Sequence, residues 1–203
     1  MVILERRLIV SAALALLVTA CQRQGAEALQ FKGIDITGAD YARELNLTDA
    51  STGQRRTLAD FNGKVAVVFF GFTQCPDVCP STLVELAGIK KALGADGARV
   101  QSIFVTVDPE RDTPEILKAY VGNFGTDFVA LRGTLDETKA AAKQFKVFYA
   151  KVPGSTEGSY TMDHTAGSFV FDAQGKVRLF TRYGTGAEAL THDLKLLLAQ
   201  AAG

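Results

Sequence analysis

A chain of 203 residues suffices for one ordinary domain plus a short targeting segment, and its 47% hydrophobic and 22% charged residues exclude a disordered chain. Its 22 basic residues balance 22 acidic ones, which excludes electrostatic capture of nucleic acid or of an anionic membrane. Three cysteines are too few for a disulfide scaffold, and two histidines are few enough to weigh singly.

The amino terminus carries an address. Arg6-Arg7 precedes an apolar run from Leu8 to Val18. That run is short of the roughly 20 apolar residues a spanning helix needs, but it suits a signal-peptide core. It ends in Val18-Thr19-Ala20-Cys21 and turns polar at Gln22. A small residue directly before Cys resembles a bacterial lipoprotein cleavage box. Residues 1–20 are therefore expected to be a lipoprotein signal peptide, with Cys21 the lipid-bearing first residue of the mature chain. An ordinary secretory leader and an uncleaved anchor stand as alternatives. All three readings place the protein outside the cytoplasm, on the periplasmic side of a membrane.

Residues 21–40 read as a tether and extended lead-in, and 41–203 as a single domain. Leu45–Asp49 and Arg56–Leu58, separated by Ser51-Thr52-Gly53, predict a short β-hairpin. The continuous apolar run Val65–Phe70 predicts a strand buried on both faces of a parallel sheet. A helix is expected from Pro80-Ser81 to Leu93, ending before Gly94, and a second β-rich run at Val100–Val107. Thr113-Pro114-Glu115 opens another helix, with Pro in its first turn and Glu near its N-terminus. A strand around Phe128–Leu131 precedes a helix over Leu135–Phe145, and Val147–Lys151 reads as extended. Ser168–Asp172 and Lys176–Thr181 flank Ala173-Gln174-Gly175 as a hairpin, and a helix from Ala187 to Ala199 closes the chain.

This order, βαβ followed by α and strand material and then ββα, predicts a thioredoxin-like α/β fold. A central mixed sheet would be flanked by helices and extended by the N-terminal hairpin. Cys75 and Cys79 would leave the carboxyl end of the first parallel strand. His164 would precede a strand running the other way, and the Asp108–Asp112 loop would leave the second parallel strand. All three then meet at one edge, where open α/β sheets place ligands.

In Cys75-Pro76-Asp77-Val78-Cys79-Pro80 the thiols are four residues apart, a spacing that brings side chains together on a helical turn. Such a pair can grip one metal ion or close a disulfide, and a helix N-terminus favours thiolate over thiol in the more exposed Cys. Two thiolates and one imidazole suit Cu(I), or Cu(II) with a further weak ligand. A structural zinc site wants a fourth Cys or His that is absent here. Asp163 either orients the imidazole or is a plain loop carboxylate. Met162 is expected in packing, with its thioether as an alternative weak ligand, and His192 on a solvated helix face.

Phe70-Gly71-Phe72-Thr73-Gln74-Cys75-Pro76-Asp77-Val78-Cys79-Pro80, Val107–Thr113 and Asp163-His164-Thr165, in that order, resemble the Sco/SenC family. Phe31–Gly38 resembles that family's lead-in. The resemblance implies membrane-anchored, copper-binding proteins of thioredoxin fold that help assemble the dinuclear copper centre of cytochrome c oxidase. It implies a copper-bearing oxidase subunit as acceptor, an upstream copper donor, and metal ligands at Cys75, Cys79 and His164. The acidic loop Asp108–Asp112 would be supportive. The lipoprotein box departs from the many relatives that keep an uncleaved transmembrane anchor.

Delivery by ligand exchange is the function expected on these grounds, with copper as cargo. The alternative is a metal-independent thiol–disulfide oxidoreductase that reduces the acceptor's cysteines through a Cys75–Cys79 disulfide. Against it, thioredoxin-type enzymes resemble Cys-x2-Cys preceded by Trp, whereas here the spacing is three and Gln74 precedes. A peroxidase is weaker still, because Phe72 stands where peroxiredoxins typically present Thr. A copper or redox sensor is a further reading.

Overall fold

In the computed structural model residues 29–201 are described. The expected signal peptide and Cys21 lie outside them. Ten strands and four α-helices follow in chain order among the described residues: β1 (Ile34–Asp35), β2 (Asn46–Asp49), β3 (Arg55–Thr57), β4 (Val65–Gly71), α1 (Val78–Ala92), β5 (Val100–Thr106), α2 (Pro114–Gly122), β6 (Val129–Arg132), α3 (Leu135–Gln144), β7 (Tyr149–Pro153), β8 (Tyr160–His164), β9 (Gly167–Phe171), β10 (Val177–Arg182) and α4 (Ala187–Gln200). Eight strands form one sheet in the order β1-β10-β9-β4-β5-β6-β2-β3, and β7 and β8 form a separate pair. No helix among the described residues is long and apolar enough to cross a membrane.

The centre of the sheet follows from hydrophobicity. Every residue of β4 and β5 is buried, and the two run parallel with Gly71 opposite Thr106. Phe69 and Phe104 form one aromatic face, on which Tyr120 of α2 packs. Phe70, Phe169 and Phe171 surround Phe145, which follows α3. Each such fully buried ring stabilises the fold by about 1.5–3 kcal/mol relative to exposure, so this centre is the most strongly held part of the sheet. β9 joins β4 antiparallel and β10 returns beside it, giving the mixed thioredoxin-like sheet that the sequence predicts.

Two additions extend that core. The β2–β3 hairpin pairs through Thr48 and Asp49 with β6 and so becomes one edge. At the other edge β1, within the lead-in, pairs with Leu179 and Phe180 of β10. The buried carboxylate of Asp193 on α4 pins this lead-in by accepting the Lys32 and Gly33 backbone N–H groups at 2.9 and 2.7 Å.

Helix ends follow local chemistry. Thr113 caps α2, accepting the Ile116 N–H with Pro114 in the first turn, and Thr134 with Glu137 forms a capping box on α3. α1 starts at Val78, ahead of the Pro80-Ser81 expected from sequence, because Pro80 occupies its first turn, where no intrahelical N–H bond is needed.

β8 is a strand the sequence reading did not anticipate. Tyr160, Met162 and His164 are shielded while Thr161 and Asp163 are exposed, the period-two alternation of a strand. Its partner is β7, in the extended stretch, with Tyr149 opposite His164.

A candidate metal centre at the sheet edge

β4 and β5 end side by side, and the Val107 N–H donates to the Gly71 carbonyl at 2.8 Å, so both following loops emerge at one edge. Gly71 closes β4 because no larger residue fits. A Cβ there would lie 2.7 Å from Cys79 Sγ and 2.9 Å from the rings of Phe104 and Phe69. The strand end and the first turn of α1 are thus in direct contact.

The chain then turns through Thr73 and Gln74 to Cys75. Buried Asp112 anchors this turn, accepting the Thr73 N–H at 3.1 Å, the Thr73 hydroxyl at 2.6 Å and the Thr106 hydroxyl at 2.5 Å. Burial pushes the Asp112 carboxyl up, against the pull of those donors. Asp108, also buried, accepts the Tyr160 hydroxyl at 3.0 Å and pairs with Arg111. The acidic loop therefore braces the site from beside it, and neither carboxylate belongs to the cluster of donor atoms.

The two thiols do not sit on one helical turn. Cys75 lies in the loop and Cys79 in the first turn of α1. They meet because the loop folds back until Cys75 Sγ accepts the Cys79 N–H at 3.4 Å. The Asp77 side chain makes no cap, so the sulfur takes the place of a capping oxygen.

This arrangement separates the thiols chemically. Half-buried Cys75 is lowered from 9.0 to about 5, first by the hydrogen bond from the Cys79 thiol, opposed by burial, and further by the backbone N–H groups of Cys79 and Asp77. Cys79, fully buried, is pushed up by its hydrogen bond to Cys75 and by burial. Cys75 is the thiolate and Cys79 holds the shared proton.

His164 ends β8 with Nε2 3.5 Å from Cys79 Sγ. Its Nδ1 lies 3.2 Å from the Thr165 carbonyl, the acceptor that fixes the proton on Nδ1 and leaves Nε2 free to ligate. Asp163, read from sequence as either an orienting group or a plain carboxylate, is exposed on the other side of the strand, and the group beside Nδ1 is the Thr165 carbonyl. The rings of Phe69 and Phe72 meet the imidazole edge-on, each 5.9 Å between centroids.

Cys75, Cys79 and His164 thus offer two sulfurs and one nitrogen within 4.8 Å of one another. Donors that share one metal at about 2.0–2.3 Å lie roughly 3.3–4 Å apart, so the set fits an ion with small adjustment. Met162 is buried in the core, and His192 pairs with Asp193 on α4, so neither joins the cluster. The sequence reading missed Gly71, and it missed Arg111, a single cation inside an acidic loop at the end of a buried strand.

A model of the SCO1/SenC family matches residues 35–199. The chain belongs to the SCO1/SenC family. It is 37% identical over 118 residues to a SCO2-like protein of Rickettsia felis, a match covering 58% of each chain. The chain thus spans little more than half the length of the curated relatives it first matches. Among solved SCO1/SenC structures, copper-bound ScoI of Bradyrhizobium japonicum shares 37% identity at a TM-score of 0.69, over 76% of this chain and 97% of that one. Apo Sco1 of Thermus thermophilus shares 35% identity at a TM-score of 0.71, over 84% and 99%.

Proposed function

We propose that this SCO1/SenC protein binds copper through Cys75, Cys79 and His164 and delivers it by ligand exchange during cytochrome c oxidase assembly. The observation that carries the reading is the convergence of two soft sulfurs and one imidazole nitrogen at one sheet edge, with His164 85 residues from Cys79. That donor set suits Cu(I), and similar proteins have been solved with copper bound, among them ScoI of Bradyrhizobium japonicum and yeast Sco1. The acceptor is a copper-bearing subunit of the oxidase, supported by family membership, and an upstream donor supplies the metal. A lipid on Cys21 would hold the protein at the periplasmic side of its membrane.

The geometry suits stepwise transfer. Cys75 is the accessible thiolate, so an acceptor thiolate displaces it first, while buried Cys79 and His164 hold the ion. Closing a Cys75–Cys79 disulfide passes two electrons to an oxidant, releases the one shared proton and removes both sulfur ligands, so loading requires the reduced pair. In an anaerobic titration the reduced protein is expected to bind one Cu(I) per chain and pass it to the soluble copper-bearing domain of the oxidase. Binding that survives loss of either Cys or of His164 undiminished overturns the assignment.

One observation favours a second reading. A half-exposed thiolate beside a buried, protonated thiol is the asymmetry of an attacking and a resolving cysteine. The protein would then reduce the acceptor's disulfide. Copper-independent reduction that persists in His164→Ala supports this reading over metal delivery.

A further inference from the structure

The β4–β9 ladder brings the Cys loop and His164 to one edge, with Phe69 opposite Ser168, four residues after His164. β8 itself pairs with β7 and not with the main sheet, so among the described residues no strand pairing fixes its far end, at Tyr160, against the Cys loop. Side chains from the loop after β5 span the gap, and Arg111 reaches both sides. Its Nη1 donates to Gln74 Oε1, directly before Cys75, at 3.0 Å, and to the Tyr160 carbonyl at the start of β8 at 2.7 Å. Its Nε pairs with buried Asp108. The guanidinium carbon stands 3.7 Å from the centre of the Tyr160 ring, whose hydroxyl donates to the same Asp108.

Tyr160 and His164 lie on one face of β8. With β9 holding the chain just after His164, fixing Tyr160 at the other end orients the strand that carries the imidazole. Arginine suits this task because its planar fork offers several donors in fixed directions, whereas a lysine ammonium is a point charge on a flexible stem.

We propose that Arg111 is a positioning residue, holding the His164 hairpin in register with the Cys75–Cys79 loop and so setting copper affinity. The proposal rests on the ligand assignment above. A guanidinium has no lone pair for copper, so its influence on affinity runs through the placing of His164 against the Cys loop.

A double-mutant cycle on the reduced full chain tests this, with Cu(I) affinity measured by competition against a chromogenic Cu(I) chelator. Arg111→Lys keeps a cation beside Asp108, and Gln74→Ala removes one arm of the fork at an exposed position, so folding is preserved in at least the second. Arg111→Lys is expected to weaken binding about tenfold, the range for lost partners that orient a ligand, and Gln74→Ala less in the same direction. In a His164→Ala background neither change has a further effect, because the ligand they position is gone. Equal losses in both backgrounds make Arg111 a general structural residue and overturn the proposal, as does unchanged affinity with His164 present. A silent His164→Ala alone marks failure of the ligand assignment itself, and the proposal falls with it.

Discussion

The two halves of the metal centre are built by different physics. The thiol half grows from β4 and α1, where every strand residue is buried and Gly71 lets Cys79 Sγ rest against the strand end. The imidazole half ends a two-stranded hairpin outside the main sheet, which joins the core where β8 runs into buried β9 and is held further by Met162 and by polar contacts from the loop after β5. Core packing is hard to perturb locally, because neighbours cannot yield. Side-chain contacts can be broken one at a time. The sulfurs thus make the site permanent, and the hairpin is where affinity is adjusted.

Removing the imidazole is the sharpest way to break that comparison. His164→Ala is expected to weaken Cu(I) binding about 100-fold, at or above the top of the range for merely orienting groups, in a chelator competition. Thermal unfolding of the metal-free protein should hardly move, since the half-buried ring packs only edge-on against Phe69 and Phe72. A large fall in melting temperature shows that the hairpin is part of the core after all.

Gly71→Ala attacks the other half. The added Cβ meets Cys79 Sγ and two aromatic rings at under 3 Å, and all three belong to the buried centre. Urea denaturation of the reduced, metal-free protein should show a loss of about 1–3 kcal/mol, the usual cost of overpacking. An unchanged midpoint means the first turn of α1 can slide, and the claimed rigidity of the thiol half fails.

These halves also differ in how far sequence reveals them. The all-apolar run of β4 and the β-rich run of β5 announce neighbouring strands, and with the Cys-x3-Cys motif they place the thiols at the correct edge. His164 is placed there by strand direction, but its own strand is obscured because Tyr160-Thr161-Met162-Asp163-His164 mixes polar and apolar residues after the turn-forming Gly154–Ser159 stretch. The alternation in burial is clear only once Tyr149–Pro153 supplies a partner. The meeting of Cys75 with Cys79 is illegible for another reason. It depends on a sulfur capping a backbone N–H, not on helical periodicity. Arg111 is hidden likewise, since its partners lie 37 and 49 residues away.

The pH dependence of thiol chemistry separates the halves further. With the Cys75 thiol at about 5 against 9.0 for a free one, its thiolate is present above that pH. Alkylation of the reduced, metal-free protein by iodoacetamide should rise through about pH 5 and stay flat towards neutrality, with Cys79 protected throughout. Cys79→Ala removes the largest of the lowering contributions, so the midpoint moves up towards the ordinary thiol value. The His164 ring lowers the Cys75 thiol less than the Cys79 thiol and the backbone N–H groups do, so His164→Ala should shift the midpoint far less. Equal shifts would mean that the hairpin tunes the thiols as strongly as their own helix turn does.

The smallest effect is expected at the hairpin's outer contact. Lys151 on β7 pairs with Glu110 next to Arg111, with both side chains nearly half exposed. Water and salt compete for such a pair, and holding two long side chains together costs entropy, so exposed ion pairs contribute little. Lys151→Met keeps an unbranched side chain and removes the charge from both Glu110 and the face of the Tyr160 ring. Cu(I) affinity should fall by no more than about fivefold, and that difference should vanish in high salt. Lys151 ties the hairpin to the loop through an exposed pair, whereas Arg111 does so through several more shielded contacts. A Lys151→Met loss as large as that of Arg111→Lys would show that the hairpin is held by net charge at the loop, not by the fork reaching Gln74 and Tyr160.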